Sequence, residues 1–388
     1  MPAARGYEVI VVGLGAMGAA TCRALAARGG SVLGLDRYRP PHCFGSTHGE
    51  TRITRLAIGE GAEYVPLVRR SHELWREIEA DTGASLLTQT GGLVLAERHD
   101  PFLARTRAAA RTFGIAHENL SPDQLVERFP MFAVEESTEG YFEPESGYVR
   151  PEAAVQAQLE LARRDGAELR FGERVISFTA ARRGVSVHTE AASYSADRLV
   201  LCAGPWLPEL FAEARESFVV YRQHLHWFAI RRGFERLREL PVFIWVLGAD
   251  PGAVHPRSFY GLPPQQSPEM KLATESYDEP ARPDGRAHHP SSARTAAVYR
   301  EYVQPRLPWL APEAPRTVSC LYTSTPSGRF VIDRHPSHDA VLIVSACSGH
   351  GFKHSPAIGE AVAEWATTGT TPRDLAPFQL AGARAPGG

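Results

Sequence analysis

Apolar positions fall in two kinds of run along the chain. Short β-branched runs closed by glycine predict buried strands, and longer stretches with apolar residues three and four apart predict amphipathic helices. The first 36 residues hold both in order. Residues 7–12 form a strand-like run ending in Gly13-Leu14-Gly15-Ala16-Met17-Gly18, and a helical pattern follows as far as residue 27. The chain turns at Gly29-Gly30, and a second apolar run over 31–35 ends in Asp36. Residues 40–61 are polar and glycine-bearing, too irregular for a continuous helix. Helices are predicted over 62–83, where Tyr64, Leu67, Val68, Leu74, Trp75 and Ile78 share a face, and over 101–113 and 150–164. A short helix is predicted after the cap Ser121-Pro122-Asp123. Strands are predicted over 91–96, 168–171, 175–178, 185–189 and 197–202, the last leaving through Ala203-Gly204.

Beyond residue 218 the texture changes. Strand-like pieces over 218–222, 224–230 and 242–246 alternate with proline-rich loops, and twelve of the thirty prolines lie between residues 251 and 315. Proline is poorly tolerated in central strands and helix interiors, so this region predicts a loop-rich sheet that shapes a pocket. Strand character returns over 318–321, 330–333 and 341–346. Ser355-Pro356 then opens a final helix, with a hydroxyl to cap it and a proline in its first turn.

The length of 388 residues predicts two or three domains. Forty-two basic residues against forty-four acidic leave a net charge of −2, which argues against a nucleic-acid binder. No apolar run approaches the ~20 residues that span a bilayer. Arg5 before an apolar stretch raises the question of a secretory signal, but the glycines within that stretch and the helix after it favour a βαβ unit. Five cysteines at irregular spacing suggest neither a disulfide framework nor a zinc site, and a reducing, cytoplasmic compartment is expected.

The βαβ unit carries the first chemistry. Gly13 permits a tight turn, Gly15 lets the backbone approach a pyrophosphate, and Gly18 lets helix and strand pack closely. The helix N-terminus offers unpaired N–H groups to the phosphates, and Asp36 stands where a carboxylate accepts from the adenosine ribose. With strand, helix, second strand and acidic end all in place, the segment predicts a dinucleotide site.

Rarer motifs narrow this further. They are Pro40-Pro41-His42, the run from Gly45 to Arg55 (GSTHGETRITR), Gly59-Glu60-Gly61, Tyr64-Val65-Pro66-Leu67, the strand around Cys320, and Ser348-Gly349-His350-Gly351-Phe352-Lys353. In this order the chain resembles the monomeric sarcosine oxidase and N-methyltryptophan oxidase family of FAD-dependent amine oxidases. The resemblance implies a two-domain α/β flavoprotein, with a Rossmann-like FAD-binding domain (1–85, 150–217, 318–388) and a mixed-sheet substrate domain (86–149, 218–317). It implies a monomer that oxidises a secondary α-amino acid, N-methyl or cyclic, to an imine and passes electrons to O2 to give hydrogen peroxide. No nucleic acid, membrane or metal is implied.

Residue roles follow from the same resemblance. Cys320 matches the cysteine that tethers the flavin by a thioether, although alone it reads as a small buried hydrophobe. Ser46, Thr51, Gly349, Gly351 and Phe352 fall in cofactor-contacting motifs. Arg52 is implied beside the flavin ring, and Arg55 and Lys353 as partners of the substrate carboxylate. Arg52 and Arg55 lie three apart, a spacing that on a helical turn gives one direction. Lys271 matches a lysine that speeds reaction with oxygen, and Tyr260 and Tyr322 match pocket tyrosines. One position departs from the family: Glu275 stands where relatives carry a pocket histidine, and substrate identity turns on it. Acting on a bulkier substrate in a biosynthetic pathway is one alternative, and an inactive flavin-binding interaction protein is another.

Overall fold

A computed structural model of the chain describes residues 6–181, 184–249 and 255–383; Arg5 and the opening of the proline-rich stretch at Pro251 lie outside them. The first apolar run becomes the strand Gly6–Val12, whose last four residues are buried. It pairs in parallel with Val32–Asp36 on one side and with Ser193–Leu201 on the other. Glu168–Phe171 extends the sheet beyond Val32–Asp36, and His338–Ser345 lies parallel to Ser193–Leu201. The eight-stranded sheet that results is covered by the helix Ala16–Ala26, packed against Pro151–Arg164 and Ser355–Thr368. A Cβ on Gly359 would stand 2.5 Å from a backbone carbon of Ala20, so the glycine is what lets two of these helices cross closely.

The second sheet also has eight strands, ordered from Arg316–Ser324 through Val219–Ala229, Glu269–Glu275, Ser258–Leu262, Val242–Val246, Gly92–Glu97 and Thr138–Glu143 to Glu118–Leu120. Its pairs are antiparallel except Val242–Val246 with Gly92–Glu97. A small third sheet joins Arg52–Thr54 and Leu87–Gln89 to Gly147–Val149. Among the described residues no helix is long and apolar enough to cross a membrane.

Four expectations need correction. The runs 218–222 and 224–230 are one strand of eleven residues, Val219–Ala229. Its polar interruption, Gln223, is buried and exchanges hydrogen bonds with the Ser276 backbone, so it does not break the strand. Arg52 lies on the strand Arg52–Thr54 rather than on a helical turn. Ser355 does not cap the final helix. A 3₁₀ turn, Phe352–His354, runs straight into it, Ser355 already has helical angles (φ −57°, ψ −42°), and its hydroxyl is buried without a partner. Finally, the strand Arg316–Ser324, grouped above with the FAD-binding segment 318–388, hydrogen bonds along Val219–Ala229 in the second sheet.

Candidate active site

One cavity runs from the glycine turn to the second sheet, lined at its extremes by Gly13 and Asp36 and by Tyr260 and Glu275. At the first end backbone does the work. Gly13 has φ +88°, and a Cβ there would stand 2.4 Å from the Cys202 carbonyl. A Cβ on Gly18 would fall 1.7 Å from the Gly13 carbonyl, so Gly18 packs behind the turn while Gly15 faces the cavity. The helix beginning at Ala16 has no side-chain cap and no acid in its first turn, which leaves its N–H groups to a ligand. Asp36 accepts from the N–H groups of Leu14 and Tyr38, both at 2.8 Å, and these oppose the upward push of burial on its carboxyl.

The middle of the wall is the segment 45–57, pinned by two carboxylates that the motifs did not single out. Glu152, in the first turn of Pro151–Arg164, accepts from Gly49 N at 2.6 Å and Glu50 N at 3.2 Å. Glu143 is buried and accepts from Leu56 N, Ala57 N, Tyr141 and Ser146. The turn so held directs the carbonyls of Gly49 and Thr51 at Lys271 Nζ, each at 2.7 Å, with the Thr51 hydroxyl at 3.2 Å. Three oxygen partners match the three hydrogens of an ammonium, against the downward push of burial and of Arg52 on this group. Arg52 lines the cavity and donates to the carbonyls of Thr51 and Ser46, both at 2.9 Å. The Ser46 hydroxyl is buried without a partner. Cys320 lies buried behind the wall; burial raises its thiol pKa, and Arg52 and Lys271 pull it back.

The far end is crowded with ionisable groups. Arg55 is buried and donates to Glu60 and to the Ala57 carbonyl, both at 2.5 Å, while its Nε has no partner. Burial would raise the Glu60 carboxyl, but Arg55, His350 and Lys353 hold it well below the usual range. Lys353 is buried, donates to the His350 carbonyl at 2.7 Å, and is pushed down to about 8 by burial, with Arg55 adding to the shift and Glu60 opposing it. Glu275 closes the strand Glu269–Glu275, half-buried on the cavity. Burial and Glu60 push it up to about 7 against Lys353 and Arg55. Tyr260 and Tyr322 stand beside it.

The backbone shapes this end too. Gly349 sits at φ +82°, where a Cβ would come within 3.0 Å of the Tyr277 hydroxyl, and a Cβ on Gly351 would fall 1.7 Å from the Ala346 carbonyl. Phe352 stacks on Trp75 at 5.9 Å.

The structure therefore gathers Gly13, Gly15, Asp36, Ser46, Arg52, Arg55, Tyr260, Glu275, Tyr322, Gly349, Gly351, Phe352 and Lys353 around one cavity. Gly18, Thr51, Lys271 and Cys320 stand behind its lining. Sequence reasoning quoted Glu60 and His350 within motifs but gave them no role, and it missed Glu143, Glu152 and His255. A glycine-flanked acid five residues after Arg55 was a signal for Glu60. Glu143 and Glu152 gave none, since their backbone partners lie 86 to 103 residues away.

Orphaned polar atoms ring the cavity: Ser46 Oγ, Arg55 Nε, His255 Nε2 and both ring nitrogens of His350. Buried groups of this kind call for a polar ligand. A dinucleotide fits the donor set, with free helix N–H groups and Asp36 at one end and cations at the other.

A family model described as FAD dependent oxidoreductase matches residues 8–365. The chain is 38% identical over 379 residues to the monomeric sarcosine oxidase of Streptomyces avermitilis, covering 96% of each. It is 31% identical over 375 residues to the N-methyl-L-tryptophan oxidase of Salmonella dublin, covering 96% of this chain and 98% of that one. The solved structure of NikD, an unusual amino acid oxidase essential for nikkomycin biosynthesis, shares the fold with a TM-score of 0.83 at 24% identity, over 97% of each chain.

Proposed function

The chain belongs to the FAD-dependent oxidoreductase family, and we propose that it oxidises a secondary α-amino acid, N-methyl or cyclic, to an imine with release of hydrogen peroxide. FAD, when bound, takes two electrons from the substrate and returns them to O2. The observation that carries the reading is the single cavity joining the glycine turn and Asp36 to the cations Arg55 and Lys353.

Each chain residue then has a task. The N–H groups at the start of Ala16–Ala26 and the Asp36 carboxylate hold the nucleotide half. Arg55 and Lys353 grip the substrate carboxylate and so set the amino acid's orientation. Glu60 keeps Arg55 aimed into the cavity. Tyr260 and Tyr322 wall the substrate, and Lys271 supplies positive charge where O2 is reduced. Cys320, whose thiol is raised by burial and pulled back in part by Arg52 and Lys271, is the tether for FAD. Acid precipitation checks this: the yellow colour stays with the pellet if the tether exists and passes to the supernatant if it does not.

Glu275 refines the substrate. An acid half-buried in the cavity attracts an ammonium or a second cationic group, a polarity that suits a bulkier or additionally polar amino acid better than sarcosine. All five cysteines are unpaired, in keeping with a cytoplasmic enzyme, and the reading takes the enzyme as a monomer. The test is peroxide release from the purified holoenzyme on a panel of N-methyl and cyclic amino acids. Turnover of several is expected, and a panel without a single substrate would overturn the reading.

A further inference from the structure

We propose that Glu275 takes the proton from the substrate's secondary ammonium, so that the amine reaches its reactive neutral form inside the cavity. This rests on the reading of the cavity as a secondary amino-acid oxidase site. The step moves one proton: an N–H bond of the ammonium breaks, an O–H bond forms on Glu275, and the electron pair stays on nitrogen as the free lone pair. Charges of +1 and −1 become two neutral groups, which a buried site favours over an ion pair.

Position comes first. Glu275 ends its strand at the cavity, and its Oε1 lies 3.4 Å from where a Cβ on Gly349 would stand. The Gly349 backbone, which lines the cavity, thus lies close against the carboxylate, four residues before Lys353. A zwitterion whose carboxylate is held by Arg55 and Lys353 has its ammonium one carbon away, and an acid beside those cations meets it.

Availability comes second. Glu60 is committed to Arg55, Glu143 to four donors and Glu152 to two backbone N–H groups. Among the described residues no hydrogen-bond donor reaches the Glu275 carboxylate, so its acceptor capacity is open to a ligand.

Proton affinity comes third, set against the titratable groups that share this end of the cavity, where burial raises the Cys347 thiol and Arg52 keeps its charge. Glu60 is held well below the usual carboxylate range and is too weak a base. His350 is pushed down to about 3 by burial, and burial also lowers His255. Lys353, at about 8, carries its proton at neutral pH, and Arg55 never loses its own. Burial raises Tyr260, Tyr277 and Tyr322, so all three stay protonated. Glu275, at about 7, is left as the group able to exchange a proton with an amine near neutrality.

The experiment uses the FAD-loaded enzyme and the variant Glu275→Gln, which keeps the shape and cannot accept the proton. Anaerobic flavin reduction by an N-methyl amino acid should fall ~10²-fold at pH 7 and recover as pH rises toward the amine's own pKa. Glu275→Asp should restore most of the rate. Binding of (methylthio)acetate, which keeps the carboxylate and has sulfur in place of N–H, gives a readout apart from turnover. Its affinity for the wild type should weaken as pH rises through 7, because ionised Glu275 repels it. Glu275→Gln should bind it tightly without that step, which also shows an intact site. A reduction profile for Glu275→Gln that overlays the wild type, or flat wild-type binding across pH 7, would overturn the proposal alone. A wild type that no secondary amino acid reduces would overturn the function itself, and the proposal with it.

Discussion

The glycine end of the cavity and its charged end are built from different material. Around Gly13, Gly15 and Gly18 the ligand meets backbone: N–H groups, a helix terminus, and positions where two added Cβ atoms would strike a carbonyl within 2.4 Å. Around Arg55, Glu60, Glu275 and Lys353 it meets side chains whose charges perturb one another. The first arrangement suits a ligand part that never changes, the nucleotide. The second can be retuned by one substitution, and Glu275 stands in it. One end of the cavity thus rests on backbone geometry and the other on side-chain charge.

The sharpest way to break the glycine end is Gly18→Ala. The new Cβ would fall 1.7 Å from the Gly13 carbonyl, which is backbone and cannot yield. The cost should exceed the ~1–3 kcal/mol of an ordinary overpacked core. The expected product is colourless protein with a lowered Tm; a yellow protein of unchanged Tm would deny the turn its role.

Between the two ends, Lys271→Met removes a cation fixed by the 49–51 turn while keeping much of its volume. Reoxidation of the reduced enzyme by O2 should slow by ~10²–10³-fold, with anaerobic reduction intact. Stopped-flow measurement of each half-reaction separates the two, and unchanged reoxidation would leave Lys271 a structural role.

At the charged end, Arg55→Leu should raise KM for amino acids by ~10²-fold, the worth of about 3 kcal/mol in charge-assisted hydrogen bonds. It also leaves Glu60 buried without its partner, so Tm should fall. Glu275→His should have a smaller effect, shifting preference toward sarcosine over bulkier amino acids by ~10-fold in kcat/KM. Smallest is the pH effect of Lys353. Its charge is present below about 8 and lost above it, so carboxylate binding should weaken as pH rises through that value. Lys353→Arg should flatten that limb.

The same contrast explains what could be read from the chain. The glycine end was legible because its turn, helix and second strand follow one another within Gly6–Asp36, where spacing alone carries the reason for each residue. The charged end was legible only through motif resemblance, because its parts come from Arg52–Thr54, Ser258–Leu262, Glu269–Glu275, Arg316–Ser324 and the turn before Ser355. No periodicity places Tyr260 beside Tyr322. Strands such as Thr138–Glu143 went unseen for a related reason: acids flank the apolar pair, and Glu143 is buried only because Leu56, Ala57, Tyr141 and Ser146 all donate to it. Ser355 shows the opposite failure, a local capping signal overridden by the turn that runs into the helix.

In the proposed function the charged end selects amino acids by their carboxylate, and their electrons pass through the flavin to O2. One paired measurement tests it most directly: peroxide formed per substrate consumed, for an N-methyl amino acid and for the same N-methylamine without its carboxylate. One peroxide per amino acid oxidised and little turnover of the simple amine are expected. Equal turnover of both, or oxidation of the amino acid without peroxide, would contradict it.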